Sequence, residues 1–425
     1  MVGGVPNRAR SRSPIERTSG IVVGVLMAAA FGAHAAQDAL DEAESADFAA
    51  SRGASAEEQL RERLLARIRT IPGTDTQYLI GGYLQVDGIA TRKKQDGDEQ
   101  DTFLVSTIPF GQADHNYRAS IRQSQFNWLS RTPTEAGFIW TRLEANLFPL
   151  DGTTALTLNQ LYARWDEHLI VGKTYSTFMD EGALPTTLDY NGPSGVTFVR
   201  QWLARGRVKL GESWALEASI EEPQADESAS GAVLSVAASA DRPDLAARVR
   251  YESDRGHFQV AGLSRRIVVN ATSPLGATER TVSGSGVSVS GSVSLFDADT
   301  LLFQAATGKG VGRYFNDPLS STGVALDPGA GLALVRTSGA TLYYQHHWTP
   351  NWMTVAGAST LWVSTDGLRT PDSLRQVVYA SANLIHRLTP TFIVGAEVLW
   401  GEAMQVGGDS ATNLRLQLSL RYLIF

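Results

Sequence analysis

Cysteine is absent from the 425 residues, so disulfide bonds contribute nothing to the stability of this chain. Beyond residue 35 there is no apolar run approaching twenty residues, which argues against a helical membrane protein. Basic runs and zinc-ligand spacings are also missing, which argues against a nucleic-acid partner. Since no phosphate-binding loop, metal-ligand spacing or nucleophile motif occurs, the sequence predicts no catalytic residue, no metal site, no cofactor and no enzyme.

The first 35 residues have the layout of a secretory signal peptide. Four arginines between residues 8 and 17 precede the uncharged run "GIVVGVLMAAAFGAHA", which ends in the small-residue pattern "AHA". We expect cleavage after this pattern, which changes the formal net charge from −7 to −10 because four arginines and one glutamate are lost. An exported acidic chain of this kind is either a soluble β-protein or an outer-membrane barrel.

Residues 36–73 are predicted to be a separate N-terminal segment on the periplasmic side. "SAEEQLRERLLARIRT" has leucine and isoleucine at helical spacing, Ser55 and Glu58 fit a capping box, and Pro72-Gly73 ends the pattern. A helix this short is marginal alone, so a short coiled coil with other copies and a frayed linker both remain open.

From residue 78 to the end, the apolar period changes to two. "VSVSGSVSL" alternates valine and leucine with serine, and "NLRLQLSLRY" alternates leucine with arginine, glutamine and serine. Such alternation predicts strands with one apolar and one polar face, which a soluble sandwich would also show.

Strand length and link length favour the membrane barrel. Many predicted strands exceed ten residues, whereas about five or six is usual in soluble proteins. Short links such as "RTPT", "SDRG" and "LTP" alternate with long ones such as 92–116 and 175–195, which is typical of outer-membrane barrels. We predict sixteen strands: 78–91, 117–131, 135–148, 154–165, 167–174, 196–210, 214–222, 243–253, 257–270, 281–296, 300–314, 331–348, 351–364, 373–388, 391–403 and 411–425.

Tryptophans lie near both ends of these strands. Five are within about four residues of a short link, and Trp362 and Trp400 lie near the opposite rim. Indole rings prefer the membrane–water interface, so the sequence predicts an aromatic girdle at each end of a barrel formed by residues 74–425. Backbone groups cannot stay unpaired in hydrocarbon, so the strands must close into an antiparallel sixteen-stranded transmembrane β-barrel, wide enough for a water-filled channel.

The third long-side link, 175–195, is predicted to fold into the barrel. Phe178, Met179, Leu184 and Leu188 are poor choices for a solvated tip, and its prolines and glycines fix tight turns. The candidate constriction residues are Thr177, Phe178, Met179, Asp180, Asp189 and Tyr190.

This link also carries a family resemblance. "STFMD", "LPTTLDYNGPSG" and "FVRQ" resemble the signature of the DcaP-like porins of Gram-negative outer membranes, and "HHWTPNW", "RPDLAARVRYE" and "RQSQFNW" are similar to other parts of that family. The resemblance covers most of residues 78–425. It implies a homotrimer of sixteen-stranded barrels, a periplasmic N-terminal helical stretch and passive passage of small anions such as dicarboxylates. Gln125 stands where many relatives have arginine, which removes one charge from the implied anion preference.

Cations opposite the apolar faces are predicted to line the lumen, because arginine or lysine facing lipid at mid-membrane costs about 2–4 kcal/mol. The predicted pore-lining, anion-binding residues are Arg118, Arg122, Arg142, Arg164, Lys173, Arg205, Arg207, Arg248 and Arg250. Guanidinium groups bind carboxylates in pairs of hydrogen bonds, so such a ladder attracts small anionic solutes. The same residues could instead pair with lumen carboxylates as structure.

The sequence thus predicts an outer-membrane porin for small anionic solutes. Expected partners are the lipid bilayer and lipopolysaccharide, further copies in a homotrimer, and the barrel assembly machinery that reads the terminal strand "LRYLIF". Two alternatives are an outer-membrane barrel enzyme of lipase or protease type, and a structural barrel with a closed lumen. Steady single-channel conductance distinguishes the porin from both.

Overall fold

A computed structural model describes residues 64–95, 101–149, 152–223, 230–231, 234–239, 241–273, 276–296, 299–317, 324–327, 331–364 and 370–424. The predicted signal peptide and most of the predicted N-terminal helix lie outside these residues. Within them, no helix is long and apolar enough to cross a membrane.

Sixteen strands form the wall of the molecule. They are β1 Gln77–Thr91, β2 in two parts (Asn116–Ser120 and Gln125–Thr134), β3 Gly137–Asn146, β4 Thr157–Trp165, β5 Leu169–Tyr175, β6 Arg200–Leu210, β7 Trp214–Glu221, β8 Asp244–Ser253, β9 Gly256–Ser273, β10 Gly276–Leu295, β11 Asp299–Lys309, β12 Arg336–Thr349, β13 Trp352–Val363, β14 Leu374–Thr389, β15 Phe392–Gln405 and β16 Ser410–Ile424. Two further short pairs are Ser230–Gly231 with Leu234–Ser239, which also extends the wall by pairing with β9 from Val268 to Thr272, and Val324–Asp327 with Gly331–Leu334, which lies outside the wall. Three 3₁₀ turns lie at Val105–Thr107, Glu181–Ala183 and Gly312–Tyr314.

The wall closes on itself. Each strand pairs antiparallel with the next, and β16 returns to β1 with Ile424 opposite Gly82 and Arg415 opposite Thr91. Each described barrel strand thus has a partner on both sides, as a membrane-spanning sheet requires. The predicted sixteen-stranded antiparallel barrel is confirmed.

Apolar side chains of the wall point outward and polar ones inward. In β16, Leu418 is 55% exposed whereas its neighbour Gln417 is fully buried. Trp165, Trp214 and Trp352 are also exposed, each beside a short turn between strands. This reversal of the usual soluble pattern gives the barrel an apolar exterior that lipid can cover.

Several strand boundaries differ from the sequence prediction. The predicted strand 300–314 ends at Lys309, because Gly310 has φ +69° and a 3₁₀ turn follows at Gly312–Tyr314. The chain leaves the wall at residues 121–124, so the second strand is interrupted. The predicted link 271–280 is largely strand, because Ala271 pairs with Thr278 in a long hairpin of β9 and β10. The segments 196–199 and 331–334 alternate like strands but lie outside the wall, because they pair with other loops instead of with barrel strands.

The N-terminal segment enters the barrel mouth at the short-turn end. Leu64 is almost fully buried against Leu79, Leu129 and Trp140 of the inner wall. Arg69–Thr70 then pairs with the start of β1. The described part of the segment therefore continues the wall and fills the rim from inside.

Candidate pore constriction

The third long-side loop, residues 176–199, crosses the interior of the barrel. Its apolar residues Phe178, Met179 and Leu188 are at most 3% exposed, and Phe178 packs edge-on against Tyr314 of another inward loop at 5.8 Å between ring centroids. Burying these side chains favours the inward position, because each would otherwise expose apolar surface at a solvated tip. The predicted inward fold of this loop is confirmed.

One anchor of the loop is Asp180. Its carboxylate accepts hydrogen bonds from Arg250 at 2.9 Å, Ser290 at 2.7 Å and Gly182 N–H at 3.1 Å, and lies 2.8 Å from His257 Nε2. Burial alone would raise the pKa of Asp180, but the hydrogen bond with His257 and the charge of Arg250 hold it well below its usual range. An ionised carboxylate thus fixes the first half of the loop to β8, β9 and β10.

The second anchor lies on the opposite wall. Glu397 of β15 accepts the backbone N–H groups of Leu188 and Asp189, both at 2.8 Å, and Gln417 of β16 donates to the Leu188 carbonyl at 2.8 Å. Asp189 in turn accepts from Phe103 N–H of the first loop at 2.9 Å and lies 3.5 Å from Arg415. The loop is therefore tied to both sides of the bore.

A close backbone approach holds the returning half of the loop. Gly195 has φ +81°, and a Cβ there would lie 2.4 Å from the carbonyl oxygen of Thr360 on β13. Thr197 pairs with Phe315, and Phe198 N–H donates to Tyr314 O at 2.9 Å. The strand-like pattern of 196–199 is therefore used in pairing between two loops.

Four of the predicted arginines lie together on one part of the inner wall, three of them close to Glu217. Arg207 of β6 and Arg248 of β8 stand directly opposite Glu217 of β7 in the sheet registers. Arg248 approaches Glu217 to 2.6 Å, Arg205 to 3.4 Å and Arg207 to 3.7 Å. Arg250 pairs with Asp180 and with Glu252 at 2.7 Å. Four guanidinium groups thus face three carboxylates on this part of the inner wall.

The remaining predicted cations are more scattered. Arg118 and Arg122 both face Asp101 of the first loop, and Arg122 also lies 3.9 Å above the Phe148 ring. Arg142 pairs with Glu144 at 2.6 Å. Arg164 lies on the inner face of β4, 5.2 Å from the Trp140 ring centroid.

Lys173 was expected in the lumen, and this expectation is wrong. In the register it stands opposite Leu161 and Trp202, both of which are exposed on the outer face. Its amine donates to the Leu158 carbonyl at 3.0 Å, so the long side chain follows the wall to reach an acceptor.

Between the loop and the inner wall lies a cavity of about 170 Å³. Tyr83, Tyr190 and Phe198 contribute rings to it, and Arg200 and Arg421 contribute cations. Tyr190, a predicted constriction residue, accepts a hydrogen bond from Asn146 at 2.7 Å. Arg200 and Arg421 were not among the predicted site residues, although the alternation in "NLRLQLSLRY" already places Arg421 opposite the leucine face.

No group of three or more histidine or acidic residues in the described part of the chain has a geometry that could hold a metal ion. Together, the closed sixteen-stranded wall, the inward loop and the charged lining are the geometry expected of a channel.

A family model for the porin subfamily matches residues 70–406. The chain belongs to the porin subfamily. Among solved structures, this porin is similar to the outer membrane channel DcaP of Acinetobacter baumannii, with 18% identity, a TM-score of 0.74, and coverage of 84% of this chain and 99% of that one. An anion-selective porin from Comamonas acidovorans has 9% identity and a TM-score of 0.53, with 82% and 100% coverage. The search of curated sequences gave no match.

Family membership and fold agree with the resemblance seen in the sequence to DcaP-like porins. The protein is therefore a transmembrane β-barrel of the outer membrane with porin function, and the space beside its third loop is the candidate passage. The identities are too low to transfer a solute or a selectivity to this porin.

Asp189 gives the constriction a predicted pH dependence. Burial raises the pKa of its carboxyl to about 6, against the opposing charge of Arg415. Folding thus disfavours the ionised form of Asp189. Lowering the pH through 6 protonates this carboxylate and removes one negative charge from the constriction. We expect the anion-to-cation permeability ratio to be higher at pH 5 than at pH 7.5 in reversal-potential measurements.

The variant Asp189→Asn separates this group from its neighbour. We expect it to show the low-pH ratio already at pH 7.5. If the variant keeps the full pH dependence, another carboxyl, such as Glu397, is the titrating group.

Proposed function

We propose that this porin mediates passive diffusion of small anionic solutes, such as dicarboxylates, across the outer membrane. The observation that carries the proposal is the cluster in which Arg205, Arg207 and Arg248 surround the single carboxylate of Glu217. Counted with Arg250 and its partners Asp180 and Glu252, which also lies 3.9 Å from Arg207, four guanidinium groups face three carboxylates, so the inner wall keeps one positive charge in excess there. Low-dielectric barrel walls focus this potential along the bore and concentrate anions.

Substitutions within this cluster test the charge argument. Replacing Arg248 by glutamine removes one positive charge and should lower the anion-to-cation permeability ratio about two- to fivefold, because selectivity follows the sign of the charges lining a pore. The matched variant Glu217→Gln changes the same cluster in the opposite sense and should raise the ratio. Reversal potentials in a salt gradient across a planar bilayer measure both.

Opposite shifts in the two variants are required. Equal ratios in wild type, Arg248→Gln and Glu217→Gln would show that these arginines serve structure alone. A clear cation preference of the wild-type porin would overturn the anion proposal while leaving the channel intact.

We also propose that three copies assemble, with the wall at β4 and β5 against another copy. β5 has only seven residues, which at about 3.3 Å per residue and a tilt of about 45° spans roughly 16 Å, less than the apolar band of about 25 Å. The exposed Trp202 and Leu161 and the outer-face amine of Lys173 lie on this low wall. If another copy of the porin covers this part of the wall, the short strand β5 no longer has to span the apolar band of the bilayer, and the Lys173 amine no longer faces lipid. The detergent-corrected mass of the solubilised porin checks the assembly.

We also propose that residues 1–35 are cleaved as a signal peptide, that the barrel assembly machinery inserts the barrel, and that the porin contacts lipopolysaccharide.

A further inference from the structure

The cavity beside the third loop brings together charges of both signs. Arg200 of β6 and Arg421 of β16 line it from the wall, and Glu181 lines it from the 3₁₀ turn of the loop. Glu144 of β3 and Asp189 of the loop are further lining carboxylates, and Asp189 is already bound by Phe103 N–H at 2.9 Å and by Arg415 at 3.5 Å. These five groups differ in how fully the protein satisfies them, and that difference indicates what the cavity can bind.

Arg421 has guanidinium N–H groups to spare. Its Nε donates to Gln85 Oε1 at 2.7 Å, and its guanidinium carbon lies 4.4 Å from the centroid of the Tyr83 ring. Neither of these direct partners is acidic. Among the described carboxylates Asp87 interacts with the charge of Arg421 but forms no ion pair with it, so guanidinium N–H groups remain for a solute. Since a guanidinium presents five donors in a fixed fork, a carboxylate is the ligand it favours.

The positive charge of Arg200 is only partly neutralised. Its nearest carboxylate, Glu144, lies 3.6 Å away but is already bound by Arg142 at 2.6 Å and by Gln160 at 3.1 Å. Arg200 also donates to Tyr190 Oη at 3.3 Å. Two guanidinium groups therefore share one carboxylate, and the wall side of the cavity is cationic.

Glu181 presents the opposite case. Its side chain lines the cavity, and no cationic side chain in the described part of the chain lies within ion-pair distance of its carboxylate. A carboxylate in a partly buried site is more stable with a charged donor beside it. An ammonium group on a solute would supply that donor.

We propose that this cavity is a binding subsite for solutes that carry both a carboxylate and an ammonium group, the amino-acid class. The solute carboxylate binds Arg421 and Arg200 on the wall, and its ammonium group donates to Glu181 on the loop. A simple dicarboxylate fills only the first half of this arrangement and places a negative charge near Glu181. The proposal rests on the proposed function, since a solute reaches the cavity only through an open anion-permeable bore.

Glutamate and glutarate form the matched pair of probes, because they share a carbon skeleton and two carboxylates and differ in one ammonium group. Each is titrated as a blocker of the potassium chloride current through the full-length porin in a planar bilayer. We expect the wild type to bind glutamate about five- to tenfold more tightly than glutarate, the size of effect expected for one net hydrogen bond. Glu181→Gln should remove this preference, and Arg421→Gln should weaken both blockers.

Glu212→Gln is the control, because Glu212 is an exposed carboxylate in the short turn between β6 and β7 and does not line the cavity. It should leave the glutamate preference unchanged. A wild type that prefers glutarate, or a Glu181→Gln variant that keeps the wild-type preference, overturns the subsite. The reversal potential in potassium chloride alone is read on the same bilayers, so loss of anion selectivity, which contradicts the proposed function, is distinguished from loss of glutamate preference.

Discussion

Replacing Gly195 by alanine should open the constriction and raise single-channel conductance by at least about twofold, because the third loop can no longer dock on the wall. The added Cβ would lie 2.4 Å from the Thr360 carbonyl oxygen, a contact that real Cβ atoms do not make. Its φ of +81° adds a cost of about 1–2 kcal/mol for any residue with a Cβ. Both effects displace the returning half of the third loop from β13. Planar bilayer recordings measure the single-channel conductance.

Gly192 provides the matched control. It also has positive φ, +67°, but a Cβ there meets only the Thr187 hydroxyl oxygen, at 3.4 Å. Gly192→Ala therefore carries the backbone strain without the clash and should change conductance much less. Equal conductance in the two variants would mean that contact of the loop with the β13 backbone does not set the width of the bore.

Replacing Asp180 by alanine should cost about 3–5 kcal/mol of stability, the usual result of removing one partner of a buried ion pair. Arg250, His257 and Ser290 would each lose their acceptor on the loop. The side chain of Asp180 is fully buried, so water replaces these contacts poorly. We expect a lower unfolding temperature and noisier current, measured by the heat-dependent shift in gel mobility and by bilayer recording.

Glu252→Gln tests whether this effect is specific to the loop anchor. Glu252 contacts the same Arg250 at 2.7 Å, but its side chain is 51% exposed, and its ion pairs within the described residues are with the wall residues Arg250 and Arg207. Its loss should stay within about 0.5 kcal/mol, as for other exposed sites. Because the pKa of Asp180 is held well below its usual range, this anchor stays ionised between pH 7.5 and pH 5, and acidification over that interval should leave it intact. Equal losses in the Asp180 and Glu252 variants would contradict the anchor.

The barrel could be predicted from the sequence because a period of two is a local property. Alternation in "NLRLQLSLRY" assigns inner and outer faces without knowledge of any neighbour, and Gln417 and Leu418 obey it in the structure. The inward third loop was predictable for a similar reason, since Phe178, Met179 and Leu188 need a place to be buried.

The sequence could not predict which residues on different strands and loops contact one another. That Glu217 stands between Arg207 and Arg248 depends on the registers of three strands, which alternation does not specify. Lys173 shows the limit of assigning faces by polarity, because its register partners Leu161 and Trp202 determine that it points outward. Residues 196–199 have the pattern of a strand, and only the position of Tyr314 and Phe315 shows which segment they pair with.

The contacts of the third loop with Glu397 and Gln417 also impose an order on biogenesis. Leu188 is more than two hundred positions from both Glu397 and Gln417 along the chain, and these two partners belong to the last two strands. Contacts of such long sequence separation form late, because the intervening chain must be ordered first. A folding intermediate whose C-terminal strands have not yet inserted would therefore lack the contacts of Leu188 with Glu397 and Gln417. The constriction is completed only after the last strands close the barrel.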